Sequence, residues 1–328
     1  VSGVAVPVGR YFNDGHNVIK APATPVDWLW LLQQCDVKAF EFHAMVGADP
    51  QHRVEQGFGT VQSYSAQLGD DSDAFLDRLC RLHRTIRRQS QKSRKLSREV
   101  GPISLEFDCR DEALLTRTIE WKRDQYRRTH ILDLFTPAWT RRLMHRLHQL
   151  PDRAASLAWS PNQPALAACS PNHAALAAAA PSEAQLAVAS HQHDARGVLS
   201  VLRAGDRVVA AHYGLLDGDL LHYWFPCYDP ELAVYSPGTG LFTEIVRESS
   251  GHGIRCIDMG YGEQPYKRKQ TDLTTAITFG CISRSGFYSR RKLLEHHACQ
   301  VLKVIPLKEP IKKAVRWIRP DAGISKLN

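Results

Sequence analysis

The sequence predicts a mixed α/β fold of the α+β class, in which helices flank a twisted, mixed, mainly antiparallel sheet. Three apolar segments, residues 198–203, 207–216 and 220–225, are separated by Ala-Gly-Asp and Asp-Gly-Asp turns, the pattern of an antiparallel meander. The third segment leads through a glycine-containing loop into an amphipathic helix and then a strand at residues 254–259. A chain of 328 residues, 43% of them hydrophobic, is long enough to form two domains.

The N-terminal part is predicted to contain strands at residues 39–46 and 60–68, since turn-forming residues separate them. A helix is predicted to begin near Asp73 and to continue through a basic segment, residues 81–98. Its apolar side chains recur every three or four residues: Phe75, Leu76, Leu79, Leu82 and Ile86.

The basic segment, residues 81–98, contains Lys and Arg but no acidic residue, and its charge equals the net charge of +8. It is either a solvated helix end or a surface that binds phosphates or an anionic glycan. Nucleic-acid binding is less favoured, because no aromatic residue interleaves the segment and no known binding motif contains it.

The central part is predicted to form a strand at residues 103–107 and a helix that Asp111 caps and that runs through Arg128. Thr136 and Pro137 supply a cap and a first position for another helix. Its predicted inward side chains are Leu143, Met144, Leu147 and Leu150.

The composition changes abruptly at residues 151–194, where blocks rich in Ala, Pro and Ser nearly repeat. Prolines keep these blocks shorter than the ~12 to 15 residues at which isolated helices become marginal. We therefore expect a mobile insertion.

The cysteines are scattered without a CxxC pair, so neither a disulfide framework nor a metal site is expected. No transmembrane helix or secretory leader is expected, and we predict a cytoplasmic protein. The chain begins with Val rather than Met, which leaves open whether an upstream piece is missing. The basic, amphipathic residues 308–319 predict a short helix that either docks on its own domain or touches an anionic membrane surface.

The loop Tyr235-Ser236-Pro237-Gly238-Thr239-Gly240 precedes the amphipathic helix. Glycines at a helix N-terminus expose successive N–H groups, which suits a pyrophosphate. The same sequence also serves as an ordinary tight turn.

In this arrangement the chain resembles the GNAT acyltransferase superfamily, and more closely its CelD/BcsL-like branch of cellulose and exopolysaccharide biosynthesis, which is related to FemAB-like transferases. The segments that carry this resemblance are residues 84–96, residues 121–127, residues 235–238, and Asp258-Met259-Gly260 followed by Glu263, Tyr266 and Lys267. The likeness covers roughly residues 75–150 and 196–285.

The resemblance implies tandem GNAT-like halves. We expect an N-terminal half at residues 1–105, a helical connection at 106–150, the insertion at 151–195, an acyl-donor domain at 196–300 and a basic tail at 301–328. The expected reaction is direct transfer of an acyl group, by default from acetyl-CoA, to an amine or hydroxyl of a sugar or other cell-envelope precursor. No metal is expected.

The resemblance also implies roles for individual residues. The donor pyrophosphate would lie against Tyr235 and Pro237 and the N–H groups of Gly238, Thr239, Gly240 and Leu241. Acceptor contacts are expected from Trp121, Arg123, Arg127 and Tyr228.

Direct transfer needs a base for the acceptor and an acid for the leaving thiolate. Asp258 is the expected base, or else a cap or ion-pair partner of Lys267 or Arg268. Tyr266 is expected to act as the acid or as an acceptor ligand, and Lys267 to hold an anionic acceptor; both alternatively pack or face solvent. His212 and His222 are expected to be ordinary sheet residues.

Tyr235 stands where the superfamily usually has Arg or Gln, which leaves the donor open. The alternatives are a FemAB-like aminoacyltransferase that uses aminoacyl-tRNA, and a non-catalytic GNAT subunit of a polysaccharide synthase.

Overall fold

The computed structural model of the protein describes residues 3–9, 12–20, 24–47, 57–151 and 195–304. The predicted insertion therefore lies almost entirely outside the described residues, and so does the predicted tail helix at residues 308–319. The five predicted domain boundaries stay a prediction.

Nine strands form one mixed sheet in the described part of the chain, in the order β1-β2-β9-β3-β8-β7-β6-β5-β4. The strands are β1 Val4–Ala5, β2 Ala39–Met45, β3 Gly57–Gln67, β4 Ile103–Glu106, β5 Arg196–Ala204, β6 Arg207–Asp217, β7 Leu220–Tyr228, β8 Cys256–Tyr261 and β9 Leu273–Ser283. The pairs β1/β2 and β7/β8 are parallel, and the other neighbours are antiparallel. The predicted fold class and meander are confirmed, and the sheet is consistent with tandem GNAT-like halves.

Helices flank this sheet. They are α1 Trp28–Gln34, α2 Ser72–Leu82, α3 Arg84–Arg87, α4 Gln89–Glu99, α5 Glu112–Thr129, α6 Ala138–His148, α7 Pro237–Ser249, α8 Lys267–Gln270 and α9 Gly286–Val304. The carboxylates of Asp27, Asp71 and Asp111 accept hydrogen bonds from the first-turn N–H groups of α1, α2 and α5, which fixes where these helices begin.

The core lies on both faces of the sheet, because side chains of a strand alternate in direction. On β5, Val198 and Leu202 pack under α2, α4 and α7, whereas Leu199 and Val201 pack under α5 and α6. Strands that are buried on both faces read as continuous apolar segments, which explains why β5 and β6 show little polar alternation.

The prediction of one continuous helix from Asp73 through the basic segment is wrong. His83 adopts an extended conformation and separates α2 from α3, and Leu82 is exposed rather than packed. The break lets Ile86 and Leu96 turn back into the core. In α6, Pro137 is the cap rather than the first helical residue, and Leu150 is exposed.

Within the described ranges, no helix is both long enough and apolar enough to cross a membrane. The same ranges hold no group of three or more His, Cys, Asp or Glu side chains placed to bind a metal ion. Their six cysteines with described side chains are free thiols: Cys35, Cys80, Cys109, Cys227, Cys256 and Cys281.

Candidate active site

The parallel strands β7 and β8 separate after a short pairing. They are in register only from Leu220 to His222 on β7 and from Cys256 to Asp258 on β8. Beyond these residues β7 continues to Tyr228 and β8 to Tyr261, so a gap opens in the middle of the sheet. Helix α7 connects the two strands, and Gly238 in its first turn approaches Tyr228 at the end of β7.

A cavity of about 180 Å³ occupies this gap. Four parts of the chain line it. They are β7 with Tyr223, Trp224 and Phe225; β8 and the following turn with Met259, Tyr261, Gln264, Tyr266 and Lys267; α5 and the residues after it with Lys122, Gln125, Tyr126, Thr129, Ile131 and Leu134; and the N-terminal segment with Phe12 and Asp14. Seven of these sixteen residues are aromatic, and the charged groups are one carboxylate and two lysines.

Helix α5 turns one regular face to the cavity. Lys122, Gln125, Tyr126 and Thr129 are spaced by three or four residues and therefore lie on one side of the helix. Trp121, Arg123 and Arg127, which the resemblance implied as acceptor contacts, do not line the cavity.

The three predicted contacts of α5 have partners elsewhere. Trp121 lies under the Arg117 guanidinium, Arg123 pairs with Glu120 and Asp133, and Arg127 pairs with Asp124. The sequence thus indicated the correct helix but not the face that reaches the cavity.

The N-terminal segment, residues 12–20, brings Asp14 to the cavity. Its Phe12 ring packs against Phe225 on β7 at 5.7 Å between ring centroids, and the His16 N–H donates to the Ala44 carbonyl on β2 at 2.9 Å. These contacts fix both sides of Asp14. The Asp14 carboxylate lies against Gly260, where an added Cβ would stand 2.8 Å from Oδ2.

Gly260 is required there for two reasons: its φ of +66° favours glycine, and any side chain would displace Asp14.

Asp258 and His222 form a hydrogen-bonded pair behind the cavity. His222 Nδ1 lies 3.2 Å from Asp258 Oδ2, and Asp258 Oδ1 accepts the Gly260 N–H at 2.9 Å. Burial opposes protonation of His222, but the hydrogen bond with Asp258 and the negative charges of Asp258, Asp14 and Asp217 together outweigh it and raise the pKa of the imidazole. Asp258, the expected base, is buried and does not line the cavity. The ring of His222 is thus hydrogen-bonded within the sheet, as the sequence predicted.

His212 remains the buried sheet residue that we expected. Its ring stacks on Tyr223 at 4.1 Å, and burial lowers its pKa to about 3.

Burial perturbs both lysines of the cavity. It lowers the pKa of Lys122 to about 8 and that of Lys267 to about 8, because the charged ammonium is poorly solvated there. Lys122 Nζ donates to the Pro226 carbonyl at 3.1 Å. Lys267 Nζ donates to the Tyr261 carbonyl at 2.6 Å and to the Gly260 carbonyl at 3.3 Å. Attraction to Asp14 and to Asp258, its predicted ion-pair partner, opposes this lowering of the pKa at Lys267.

Uncharged polar groups that line the cavity are also available to a ligand. Burial raises the pKa of Tyr266 to about 12, although more than a third of the residue is exposed, so the phenol stays protonated at neutral pH. Tyr223 Oη and Gln125 Oε1 are buried without a hydrogen-bond partner in the described structure. A bound acceptor would satisfy such groups.

The predicted donor loop opens α7, and the basic helix α4 packs beside it. The Thr239 and Gly240 N–H groups donate to the Ser236 carbonyl at 3.0 and 3.1 Å. The Gly238 N–H comes before them and is the first N–H of α7, because Pro237 has none. Ser236 has a φ of +52°, and its hydroxyl accepts a hydrogen bond of 2.6 Å from Lys92 Nζ. A cation therefore lies at the loop.

The remaining residues of the predicted loop differ in their accessibility. Leu241 is fully buried in the core. Tyr235 donates to Glu99 on α4, and the half-exposed Tyr228 approaches Gly238. A Cβ on Gly238 would meet only Tyr228 at 3.6 Å, whereas a Cβ on Gly240 would meet Gln89 Nε2 at 3.0 Å. Gly238, not Gly240, faces free space.

Comparison with known proteins identifies the class. The chain matches the model of the acetyltransferase (GNAT) domain in two segments, residues 65–160 and 165–268. These segments make up more than half of the chain, which therefore belongs to the GNAT acetyltransferase family.

Two solved structures are similar to the chain at low identity. The C-terminal domain (DUF2156) of a putative lysylphosphatidylglycerol synthetase from Agrobacterium fabrum is 8% identical, with a TM-score of 0.46 over 82% of this chain and 75% of that one. A conserved protein of unknown function from Bacteroides thetaiotaomicron is 11% identical, with a TM-score of 0.40 over 74% and 70%. No curated protein matches the chain.

Sequence reasoning missed Asp14, Lys122, Tyr126 and Tyr223 as residues of the cavity. Only the period of α5 could have pointed to Lys122 and Tyr126, because the face that carries Ile119 and Tyr126 is the apolar one. Nothing near Asp14 in the sequence marks it. Its position depends on tertiary contacts of the N-terminal segment.

Proposed function

We propose that the protein is an acyl-CoA-dependent N- or O-acyltransferase, with acetyl-CoA as the default donor. One observation carries this proposal: β7 and β8, the two strands that α7 joins, separate around a polar and aromatic cavity. In a GNAT domain the thioester lies between the two diverging strands that flank this helix. GNAT domains typically use acyl-CoA, and this family is the one to which the chain belongs.

The residues present fit a CoA pyrophosphate at the start of α7. The free space at Gly238, the helix N-terminus and the Lys92 ammonium together favour an anion. Other cationic side chains of α3, α4 and the residue between them are exposed: Arg84, Arg87, Arg88 and Lys95.

The leaving thiolate needs a proton, and Tyr266 at the rim of the cavity is protonated at neutral pH. Lys267 is held by two backbone carbonyls and faces the cavity, where it would hold an anionic group of the acceptor. Because Asp258 is engaged by His222 and by the Gly260 N–H, we assign it a positioning role instead of the predicted role as base.

The first experiment measures acetyl-CoA binding to the purified protein by calorimetry and thiol release from acetyl-CoA in the presence of D-glucosamine. We expect binding with a 1:1 stoichiometry and glucosamine-dependent release. Absence of acetyl-CoA binding would exclude the proposed donor. Binding without turnover on any sugar amine or hydroxyl would favour the non-catalytic subunit.

We further propose that the acceptor is a precursor of an exopolysaccharide or of the cell envelope, as in the CelD/BcsL-like branch. The motifs that carry this resemblance include Tyr235-Ser236-Pro237-Gly238, which the structure places at the start of α7. The association with a polysaccharide synthase stays a prediction of the same resemblance, and the cytoplasmic location stays a prediction from the sequence.

A second candidate is a FemAB-like transferase that uses aminoacyl-tRNA, and the exposed basic surface of α3 and α4 favours it. The two donors differ in salt dependence, since binding of an RNA backbone releases many counterions. Affinity for tRNA that falls by orders of magnitude between 50 and 200 mM salt, together with no affinity for acetyl-CoA, would select this candidate.

A further inference from the structure

The Asp14 carboxylate is unusual among the acidic groups near the cavity. Asp14 lines the cavity itself, whereas Asp258 lies behind it and is held by His222 and Gly260. In the described part of the chain, no hydrogen bond or ion pair to the Asp14 side chain is found. A carboxylate in such surroundings without a partner is free to interact with a ligand.

The backbone on both sides of Asp14 is nevertheless firmly held. The Asn13 carbonyl contacts His43 Nε2 at 2.8 Å, and the Gly15 N–H donates to Asn13 Oδ1 at 3.1 Å. Phe12 packs into a cluster with Phe135, Trp139 and Phe225. A fixed backbone with a free carboxylate is the arrangement expected of a preorganised functional group.

We propose that Asp14 is the catalytic base, the group that takes the proton from the acceptor nucleophile. This role rests on the proposed function. The lone pair of the acceptor nitrogen or oxygen forms a bond with the thioester carbonyl carbon, and the carbon–sulfur bond breaks. The acceptor proton moves to an Asp14 oxygen, and the thiolate takes a proton from Tyr266 or from water.

The electrostatics of the cavity suit a base at this position. Burial raises the pKa of Asp14 to about 6, against the opposing effect of Lys267. At neutral pH the group is then deprotonated but more basic than an ordinary carboxylate, which suits proton abstraction. The titratable groups that face it are Lys267, Asp258, His222, Tyr126, Tyr261 and Tyr266.

The test compares Asp14→Asn with wild type, using acetyl-CoA and D-glucosamine as the probes. We expect acetyl-CoA affinity within twofold of wild type and a loss of kcat/KM of roughly 10²- to 10⁴-fold. In wild type, kcat/KM should fall below about pH 6, because protonated Asp14 cannot accept a proton. This decline should vanish in Asp14→Asn and persist in Asp14→Glu.

The matched control is Asp36→Asn, the same chemical change at an exposed turn whose φ of +49° an asparagine accepts readily. It should retain wild-type kinetics. Loss of activity in both variants, or an unchanged pH profile in Asp14→Asn, would overturn the role of Asp14.

A readout independent of turnover uses the ¹³C carboxyl resonance of Asp14, assigned from its absence in Asp14→Asn. Bound acetyl-CoA should change the pH midpoint at which this resonance titrates, because the acyl group displaces water from the carboxylate. An unchanged midpoint with acetyl-CoA bound would overturn only the role of Asp14. Failure of wild type to bind acetyl-CoA would overturn the acyl-CoA function itself and this role with it.

Discussion

The substitution Gly238→Ala separates donor binding from folding. A Cβ at this position would meet only Tyr228, at an ordinary contact distance of 3.6 Å. Gly238 lies in the first turn of α7, where alanine is the better helix former. The folded protein should therefore accept the methyl group, whereas a phosphate that approaches the Gly238 N–H closely should not.

The two effects have opposite signs. Replacing a helical glycine without strain stabilises a protein by about 0.4–1 kcal/mol, mainly through the unfolded state. Displacing a phosphate oxygen from the amide removes one hydrogen bond to a charged group, worth about 1.5–3 kcal/mol. At about 1.4 kcal/mol per tenfold, acetyl-CoA affinity should fall roughly 10- to 150-fold.

The assay is calorimetric titration with acetyl-CoA, paired with thermal unfolding of the same preparations. Gly251→Ala is the matched control, since Gly251 follows the other end of α7 and has no atom within 4 Å of an added Cβ. It should leave the affinity unchanged. Undiminished affinity in a well-folded Gly238→Ala protein would refute the assignment of this loop to the donor.

Two further predictions concern buried charges. In Lys122→Met, the rise in unfolding free energy between pH 8 and pH 10 should be smaller than in wild type by on the order of 2 kcal/mol. The folded pKa of Lys122, near 8, lies below its unfolded value, so the unfolded state binds more protons in this pH range. Urea titrations that show the same pH dependence for wild type and Lys122→Met would contradict this prediction. In His222→Gln the opposite sign applies: the raised pKa stabilises wild type below about pH 6.5, and this stabilisation is lost as pH rises through the folded pKa. In wild type, this stabilisation should appear in chemical unfolding as a difference of about 1 kcal/mol or less between the unfolding free energies at pH 5.5 and pH 8.5. The same pH-dependent difference in His222→Gln would contradict the pairing of His222 with Asp258.

Much of the fold could be predicted because local signals determine it. Asp111 begins α5 through hydrogen bonds that the sequence makes obvious, and two glycine turns define the meander of β5 to β7. The break at His83 could not be predicted, since no Pro or Gly marks it. It arises because Ile86 and Leu96 pack into the core only if the chain changes direction after α2.

The sequence indicated part of the lining of the cavity, for a physical reason. Tyr266 and Lys267 were found because they follow the strand that bounds the gap, so their sequence neighbours already indicate their place. The resemblance supplied residues on α5 by their order in a motif, but a motif does not state which side of a helix faces inward. Consecutive side chains of a helix point about 100° apart. Lys122 therefore lines the cavity, whereas its neighbour Trp121 does not.

Asp14 shows why the rest of the site requires the tertiary structure. Strand β3 lies between β8 and β9, so residues from the N-terminal part of the chain flank the strand that carries Asp258 and Gly260. The N-terminal segment then crosses this sheet from β2 to β7 and delivers a carboxylate to the cavity. A group placed by such long-range contacts has no periodic or local signature. Its raised pKa comes from burial, against the opposing effect of Lys267, and burial exists only after folding.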